Sequence, residues 1–218
     1  MSPPDILVVI PVLNEESALN RLLPDLRAQS PALDLVVVDG GSTDASRAVA
    51  ARWEVPVLKC ASAGRAAQMN AGAHYGNHAV LLFLHADTRL PPGAAAAVTA
   101  AVRGGCTGGA FARRFDTDSA LLRLTCRMAD WRGRRFGWFL GDQAIFVRRD
   151  VYAQLGGFPE WPLFEDLEFS RRMARVGSTR LLTPPVVSSA RRFEKTGPLR
   201  RTTRDFVLTL RYLAGKRW

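Results

Sequence analysis

The chain has 218 residues, of which 47% are hydrophobic and 23% are charged. This length and composition suit one globular domain and exclude a disordered tail, a fibrous repeat or a disulfide-stabilised mini-protein. The three cysteines, Cys60, Cys106 and Cys126, are widely separated and form no CxxC pair. They predict reduced thiols, and because no apolar run approaches the ~18 residues of a membrane span, we expect a soluble cytoplasmic protein.

The formal net charge of +10 is concentrated in the C-terminal quarter of the chain. Residues 1–170 carry 17 basic and 18 acidic side chains, whereas residues 171–218 carry 13 basic and 2 acidic ones. A segment of this kind attracts polyanions, so nucleic acid, anionic lipid and a phosphorylated substrate all enter as potential partners.

The first hundred residues alternate between short apolar runs, typical of strands buried on both faces, and segments with helical periodicity. Strands are predicted at residues 6–10, 35–38, 55–58 and 80–84. Helices are predicted at residues 15–29, 65–75 and 94–102, and Ser42-Thr43-Asp44 predicts a further helix start because its hydroxyl groups can cap free amides. This alternation predicts right-handed βαβ units and a largely parallel sheet.

The second half is less regular, with strands predicted at residues 108–115 and 144–147 and helices at 119–131 and 165–176. No internal repeat or linker divides the chain. We therefore predict one α/β domain over residues 1–193, followed by a basic amphipathic helix within residues 194–218.

Polar residues follow three of the predicted strands: Asn14-Glu15, then Asp39, then His85-Ala86-Asp87. Ligands of open α/β sheets bind outside the carboxyl ends of the strands, so these groups predict a site at one sheet edge. Each alone has a plainer interpretation, because Asp39 can cap a turn and Glu15 can favour a helix start. No GxGxxG or GxxxxGK[ST] motif follows the first strand, which disfavours a dinucleotide cofactor or a P-loop.

Five blocks of the sequence, in order over residues 6–193, resemble those of family 2 glycosyltransferases. The blocks are Val8–Glu15 (VVIPVLNE), Val37–Asp44 (VVDGGSTD), Gly64–Gly72 (GRAAQMNAG), Leu84–Thr88 (LHADT), and Gly157-Phe158 followed by Glu165–Glu168 (EDLE). The third and fourth blocks resemble those of a bacterial subgroup encoded beside radical-SAM proteins.

The resemblance implies a GT-A fold, in which a Rossmann-like, mostly parallel twisted sheet is flanked by helices. It also implies a nucleotide-sugar donor and transfer with inversion at the anomeric carbon. By position in the blocks, Asp39 would bind the nucleobase, and Pro11 and Glu15 would line the nucleoside pocket. Arg65 and Asn70 would lie over the nucleotide and its diphosphate.

The same resemblance implies that Asp87 binds a divalent cation, Mn²⁺ or Mg²⁺, and that Asp166 is the general base. The dipole of the helix that begins beside Asp166 would keep this carboxylate ionised. His85 stands where the family often has aspartate, and we expect it to orient the loop or a water. Arg191 lies where related enzymes fold a C-terminal segment over the donor, and a bidentate arginine suits a diphosphate.

On the acceptor side, the resemblance implies a role for the Gly141–Ala144 segment, although a simple turn is the alternative. Six aromatic residues surround this region, and they can stack on an acceptor or pack in the core; they are Trp131, Phe136, Trp138, Phe139, Trp161 and Phe164. The acceptor itself, lipid-linked or a small molecule, is not encoded by any motif.

Leu199, Phe206, Val207, Leu210 and Leu213 recur at helical spacing near the C-terminus. This helix can dock on the protein's own domain or attach to the inner face of a membrane. Nucleic acid is disfavoured, since no nucleic-acid motif accompanies the charge. For the whole chain, the alternatives to a glycosyltransferase are a nucleotidyltransferase and a non-catalytic nucleotide- or anion-binding module. The Gly-rich phosphate loop of nucleotidyltransferases is absent after the first strand.

Overall fold

The fold was obtained as a computed structural model, which describes residues 5–29, 32–60, 64–191, 193 and 197–215. Its strands are β1 (Ile6–Val12), β2 (Asp34–Asp39), β3 (Val57–Lys59), β4 (Val80–Phe83), β5 (Thr88–Arg89), β6 (Gly108–Phe115), β7 (Ile145–Arg148) and β8 (Thr179–Ser188). Its helices are α1 (Glu16–Arg27), α2 (Ser46–Arg52), α3 (Arg65–Ala73), α4 (Ala94–Arg103), α5 (Ala120–Phe136), α6 (Arg149–Leu155), α7 (Glu165–Val176) and α8 (Pro198–Leu213).

The strands form one sheet in the order β3-β2-β1-β4-β7-β6-β8-β5. Strands β3, β2, β1 and β4 are parallel, β7 is antiparallel to both β4 and β6, and β8 runs parallel to β6. The chain order reverses between β1 and β4, where the following loops diverge and leave a crevice. The predicted α/β fold with a mostly parallel sheet is confirmed.

The core lies on both faces of this sheet, as the continuous apolar runs predicted. Along β1, Val8 and Ile10 pack into one hydrophobic cluster with α1 and α4, whereas Leu7 and Val9 pack into the other with α3, α6 and α7. Each such side chain contributes about 1.5–3 kcal/mol of burial free energy. Gly72 lets α3 approach β1, since a β-carbon there would lie 2.3 Å from a Val9 methyl carbon.

The structure corrects one predicted element boundary. Helix α2 begins at Ser46 and not at Ser42, because the Ser42 and Asp44 side chains accept hydrogen bonds from the backbone at Asn14 and Glu16 and thereby join two loops. Of the six aromatic residues near Gly141–Ala144, Phe139 is fully buried in the core, as the core-packing alternative predicted.

Three elements were not predicted, namely β5, α6 and β8. Strand β8 contains Pro184 and Pro185, which weaken any strand signal in the sequence.

Candidate functional site

Side chains join the loops that follow β1 and β2 at the edge of the sheet. The Asn14 amide oxygen accepts a hydrogen bond from the Thr43 N–H at 2.8 Å, and the Asn14 N–H donates to the Ser42 hydroxyl at 3.0 Å. The Glu15 N–H donates to the Ser46 hydroxyl at 2.9 Å. These contacts fix the position of Glu15, a predicted donor-site residue, relative to β2.

Gln68 of α3 bridges the ends of the same two strands. Its buried amide donates to the carbonyl oxygens of Val12 and Val38, both at 2.8 Å. Next to it, the buried Asp39 carboxylate accepts the Ser42 N–H at 3.0 Å, so the turn-capping interpretation of Asp39 is correct as far as it goes. The predicted contact with a nucleobase stays a prediction.

The carboxylate of Asp166 is buried at the start of α7. One oxygen accepts the Gly141 N–H and the other accepts the Leu167 N–H, each at 2.6 Å. Burial raises the pKa of this carboxyl above its ordinary value, while the Gly141 amide and the Arg65 guanidinium act in the opposite direction. Desolvation therefore opposes the helix dipole at this carboxylate, and the expectation that the dipole keeps Asp166 ionised stays a prediction.

His85 brings the loop after β4 to the same point. A β-carbon at Gly141 would lie 2.7 Å from Nε2 of His85 and 3.1 Å from Oδ2 of Asp166. The imidazole and the carboxylate therefore flank the Gly141 backbone from neighbouring positions. This placement supports the expected loop-orienting role of His85, and it couples the Asp87 loop to Asp166.

Glu165 precedes Asp166 and is also buried, with an oxygen 3.5 Å from a guanidinium nitrogen of Arg65. Burial, followed by the neighbouring Asp166, raises the pKa of Glu165, and Arg65 opposes the shift. Arg65 is partly exposed at the start of α3, so it presents positive charge both to the two acids and to the open crevice. A pair of carboxyls with perturbed pKa values in a cleft is typical of a catalytic site.

On the other side of the crevice, Arg191 reaches across to Glu15. One Arg191 nitrogen lies 3.0 and 3.2 Å from the two Glu15 carboxylate oxygens. The hydrogen bond that Arg191 donates to Glu15 raises the pKa of Arg191, and the charge of nearby Asp87 adds to the shift. Glu15, Asp87 and Arg191, which were predicted separately, therefore lie together.

Within the described part of the chain, no three His, Cys, Asp or Glu side chains group into a metal cage. Mg²⁺ bound with substrate phosphates takes only one or two protein carboxylates, together with phosphate oxygens and waters. A single carboxylate such as Asp87, beside a cationic arginine suited to phosphate, fits a hard cation that binds together with a diphosphate. The residues present are therefore compatible with Mn²⁺ or Mg²⁺.

Asn70 and Pro11 occupy supporting positions in the structure. The Asn70 amide donates to the Phe158 carbonyl and accepts from the Phe158 N–H, both at 2.9 Å, and the Tyr152 hydroxyl donates to its oxygen at 2.7 Å. Asn70 thus holds the segment that leads towards α7, and its predicted contact with the nucleotide is untested. Pro11 lies near the end of β1, paired in register with Val38.

A buried ion pair beside Gly141 was not predicted as part of the site. Arg113 of β6 pairs with Asp142, directly after Gly141, and its guanidinium lies 4.7 Å from the centre of the Phe115 ring. Arg132 of α5 donates to the Trp138 carbonyl at 3.1 Å. Nothing in the sequence marks these arginines, since their proximity to residues 141–143 arises only when α5 packs on β6.

Backbone geometry also marks the site. Asn14, Ala144 and Phe164 have positive φ angles of 55°, 51° and 62°. Ala144 and Phe164 are uncommon in this conformation, which costs of order 1–3 kcal/mol and is held only where surrounding contacts enforce it. Asn14 precedes Glu15, Phe164 precedes Glu165, and Ala144 follows the turn that holds Asp166, so all three adjoin the crevice.

The fold and this edge site define an α/β domain of the GT-A type. The family profile "Glycosyl transferase family 2" matches residues 7–147. The chain therefore belongs to glycosyl transferase family 2, as the sequence blocks indicated. No curated protein sequence matches the chain.

Several solved structures share the fold. The mannosyltransferase PcManGT from Pyrobaculum calidifontis, in complex with GDP-Man and Mn²⁺, has a TM-score of 0.67 at 23% identity, over 87% of this chain and 57% of that one. S. aureus TarS 1-349 in complex with UDP-GlcNAc has a TM-score of 0.70 at 15% identity, over 85% of this chain and 58% of that one. Glucosyl-3-phosphoglycerate synthase from Mycobacterium tuberculosis, with Mn²⁺, UDP and glucosyl-3-phosphoglycerate, has a TM-score of 0.51 at 16% identity, over 68% and 58% of the two chains.

This chain thus spans less than two thirds of the length of these enzymes. At such identities the likeness shows the fold, and the bacterial subgroup stays a prediction.

Proposed function

We propose that this protein transfers a sugar from a nucleoside-diphosphate sugar to an acceptor hydroxyl, with inversion at the anomeric carbon. The observation that carries the proposal is the meeting of the β4 loop and the first turn of α7 at Gly141, where His85 and Asp166 lie on either side. Family membership and the sugar-nucleotide complexes of structural neighbours support this assignment.

Asp166 is the proposed general base. The acceptor hydroxyl is a weak nucleophile at neutral pH, and a carboxylate within hydrogen-bond reach can take its proton as the oxygen bonds to the anomeric carbon. The bond to the diphosphate oxygen breaks on the opposite face, which inverts the configuration. The raised pKa of Asp166 brings its basicity closer to neutral pH.

Glu15, Asp39, Arg65 and Arg191 are proposed to bind the donor, with the two arginines facing its diphosphate. Asp87 would hold Mn²⁺ or Mg²⁺, which when bound neutralises negative charge on the leaving diphosphate. The proposed acceptor is a hydroxyl compound, either lipid-linked or a small molecule. The proposed location of the protein is the cytoplasm.

The test is release of UDP or GDP from its sugar donors in the presence of Mn²⁺, comparing the wild type with Asp166→Asn. We expect the variant to lose on the order of 10²–10⁴-fold in turnover, as removal of a general base does, while nucleotide binding stays within a few fold. Glu160→Gln is the matched control, because it removes an exposed acid outside the site, on the loop before α7, and should leave turnover unchanged.

Near-native turnover by Asp166→Asn would refute the base assignment. Pyrophosphate as the product would instead identify a nucleotidyltransferase. Nucleotide binding without any sugar transfer or hydrolysis would identify a binding module.

A further inference from the structure

Helix α8 docks on the domain through its polar side. The Tyr212 hydroxyl donates to the Glu168 carboxylate and accepts from Arg171 at 2.9 Å, and the Tyr212 ring lies 5.3 Å from the ring of Phe164. Helices of globular proteins normally turn their apolar stripe towards the core. In α8 this arrangement is reversed: the helix docks on its own domain, which was one of the two predictions, but it does so through its polar side.

The apolar face of α8 is left exposed to solvent. Large apolar side chains that are 45–70% exposed recur along one side of the helix: Leu199, Phe206, Val207, Leu210 and Leu213. At 100° per residue these positions cover one broad stripe, away from Tyr212. A contiguous exposed apolar surface of this kind marks an interaction site.

Helix α5 carries a second exposed apolar face. Trp131 is 64% exposed, and Leu124 and Met128, which share its helix face, are also exposed. A chain of close contacts links Trp131 to the docked side of α8: its ring lies 5.5 Å from that of Phe136, which lies 5.0 Å from that of Trp138. The Arg171 guanidinium then lies 4.9 Å from the Trp138 ring and 5.3 Å from the Tyr212 ring. We call the exposed apolar residues of the two helices the α5–α8 surface.

Arginines flank the apolar stripe of α8. Arg200, Arg204 and Arg211 are exposed and share one side of the helix, about 100° from the centre of the stripe and next to its Val207 edge. The one acidic residue within Pro198–Leu213, Asp205, pairs with Arg201 at 3.0 Å and lies away from the stripe. The exposed charge beside the apolar residues of α8 is therefore positive.

We propose that the α5–α8 surface docks on an anionic lipid bilayer. An amphipathic helix with Lys or Arg on one side and Phe or Leu on the other lies in the membrane interface, with its apolar face buried about 5–10 Å. A second copy of the chain is disfavoured as the occupant, because self-pairing of this surface would bring rows of arginines together. Nucleic acid would neutralise the arginines and leave the apolar stripe exposed.

The described residues contain no helix long and apolar enough to cross a membrane. Tyr212 contacts Glu168 and Phe164, which immediately surround Glu165 and Asp166. Tyr212 thus connects helix α8 to the first turn of α7. This inference goes beyond the proposed function and stands without it, since docking requires no sugar donor.

The test is co-sedimentation of the full chain with phosphatidylcholine vesicles, with and without phosphatidylglycerol, at low and high salt. We expect binding to the anionic vesicles, with little binding to the neutral ones and a loss at high salt. Because an arginine near an anionic surface contributes about fivefold in affinity, replacing Arg200, Arg204 and Arg211 together with glutamine should weaken binding roughly 100-fold.

The apolar stripe is tested by Phe206→Asp with Leu210→Asp, which should abolish vesicle binding. Both positions are exposed, so the melting temperature should stay within about 2 °C of the wild type. Val176→Asp is the matched control: Val176 is 41% exposed at the end of α7, outside the surface, and its replacement should leave vesicle binding unchanged. UDP and GDP binding measured in parallel reports on the donor site separately.

Three outcomes would overturn the proposal. The first is an absence of binding to anionic vesicles at low salt. The second is binding that is lost in the arginine variant but kept in the aspartate double variant, which would mean simple polyanion attraction. The third is a dimer, seen by light scattering without vesicles, that the aspartate double variant converts to a monomer.

Discussion

Gly141→Ala tests whether the closeness of His85, Gly141 and Asp166 sustains the reaction. The added β-carbon would lie 2.7 Å from His85 Nε2, and ordinary contact begins at about 3.4 Å, so the imidazole or the Gly141 backbone must move by about 0.7 Å. Gly141 does not adopt a positive φ angle, so the substitution adds bulk without backbone strain. Overpacking of this kind typically costs about 1–3 kcal/mol.

In a protein of this size that cost lowers the melting temperature by roughly 2–12 °C. A misplacement approaching 1 Å at a catalytic group can cost on the order of 10²-fold in rate, so we expect donor turnover to fall by about that factor. The assay is release of the nucleoside diphosphate from its sugar donor, with nucleotide affinity and melting temperature measured alongside. Gly104→Ala is the control, because on this exposed turn its β-carbon would meet two α4 carbonyl oxygens at 3.3 Å and an Arg180 nitrogen at 3.9 Å, all distant from the site. Wild-type turnover in Gly141→Ala, or an equal loss in both variants, would refute the reasoning.

Three further predictions concern pH, strand anchoring and donor binding. Burial raises the pKa of Asp166, and the base must be ionised, so turnover should rise with pH through that raised pKa. Because the Arg65 guanidinium lowers this pKa, Arg65→Gln should move the rise in turnover to higher pH, which a pH–rate profile would show. The native state holds the Asp166 proton more tightly than the unfolded chain does. The contribution of Asp166 to the free energy of unfolding is therefore fully present below its pKa in the unfolded chain and is lost as the pH rises through its pKa in the folded protein. Urea titrations at several pH values measure this loss. Gln68→Leu removes the side-chain donor of two strand-end carbonyls, of which Val12 keeps the Gly40 N–H, and should cost about 1–3 kcal/mol in unfolding free energy. Exposed Gln154→Leu should change it by less than about 0.5 kcal/mol. Arg191→Gln should weaken UDP or GDP binding about tenfold. The melting temperature should change little, because the exposed ion pair of Arg191 with Glu15 contributes little to folding. An unchanged nucleotide affinity would show that Arg191 is not part of the donor site.

Much of the fold follows from local sequence patterns. The runs at Ile6–Ile10, Leu35–Val38 and Val80–Leu84 could be predicted as buried strands because every side chain in them is apolar. Strand β8 was not predicted, because Pro184 and Pro185 interrupt its sequence pattern. Its pairing with β6 depends on contacts between distant parts of the chain. Helix α6 has seven residues, too few for a clear helical period.

In the candidate site, too, some residues could be predicted from local sequence patterns, whereas others depend on contacts between distant parts of the chain. Glu15, Asp39 and Asp87 could be predicted because each ends a strand or lies within four residues after one. Gln68 lies within a quoted block, but its bridging of two strand ends depends on how α3 packs, which no local pattern reports. The raised pKa of Asp166 likewise depends on burial by distant residues, and helix position alone predicted the opposite direction.

Titration calorimetry with UDP, GDP, dTDP and CDP, with and without Mn²⁺, tests most directly whether this edge of the sheet is a sugar-nucleotide site. We predict that one nucleotide binds, that Mn²⁺ strengthens its binding about tenfold or more, and that Asp87→Asn removes this gain. Failure of all four nucleotides to bind, with the protein folded, would contradict the assignment of a nucleotide-sugar donor.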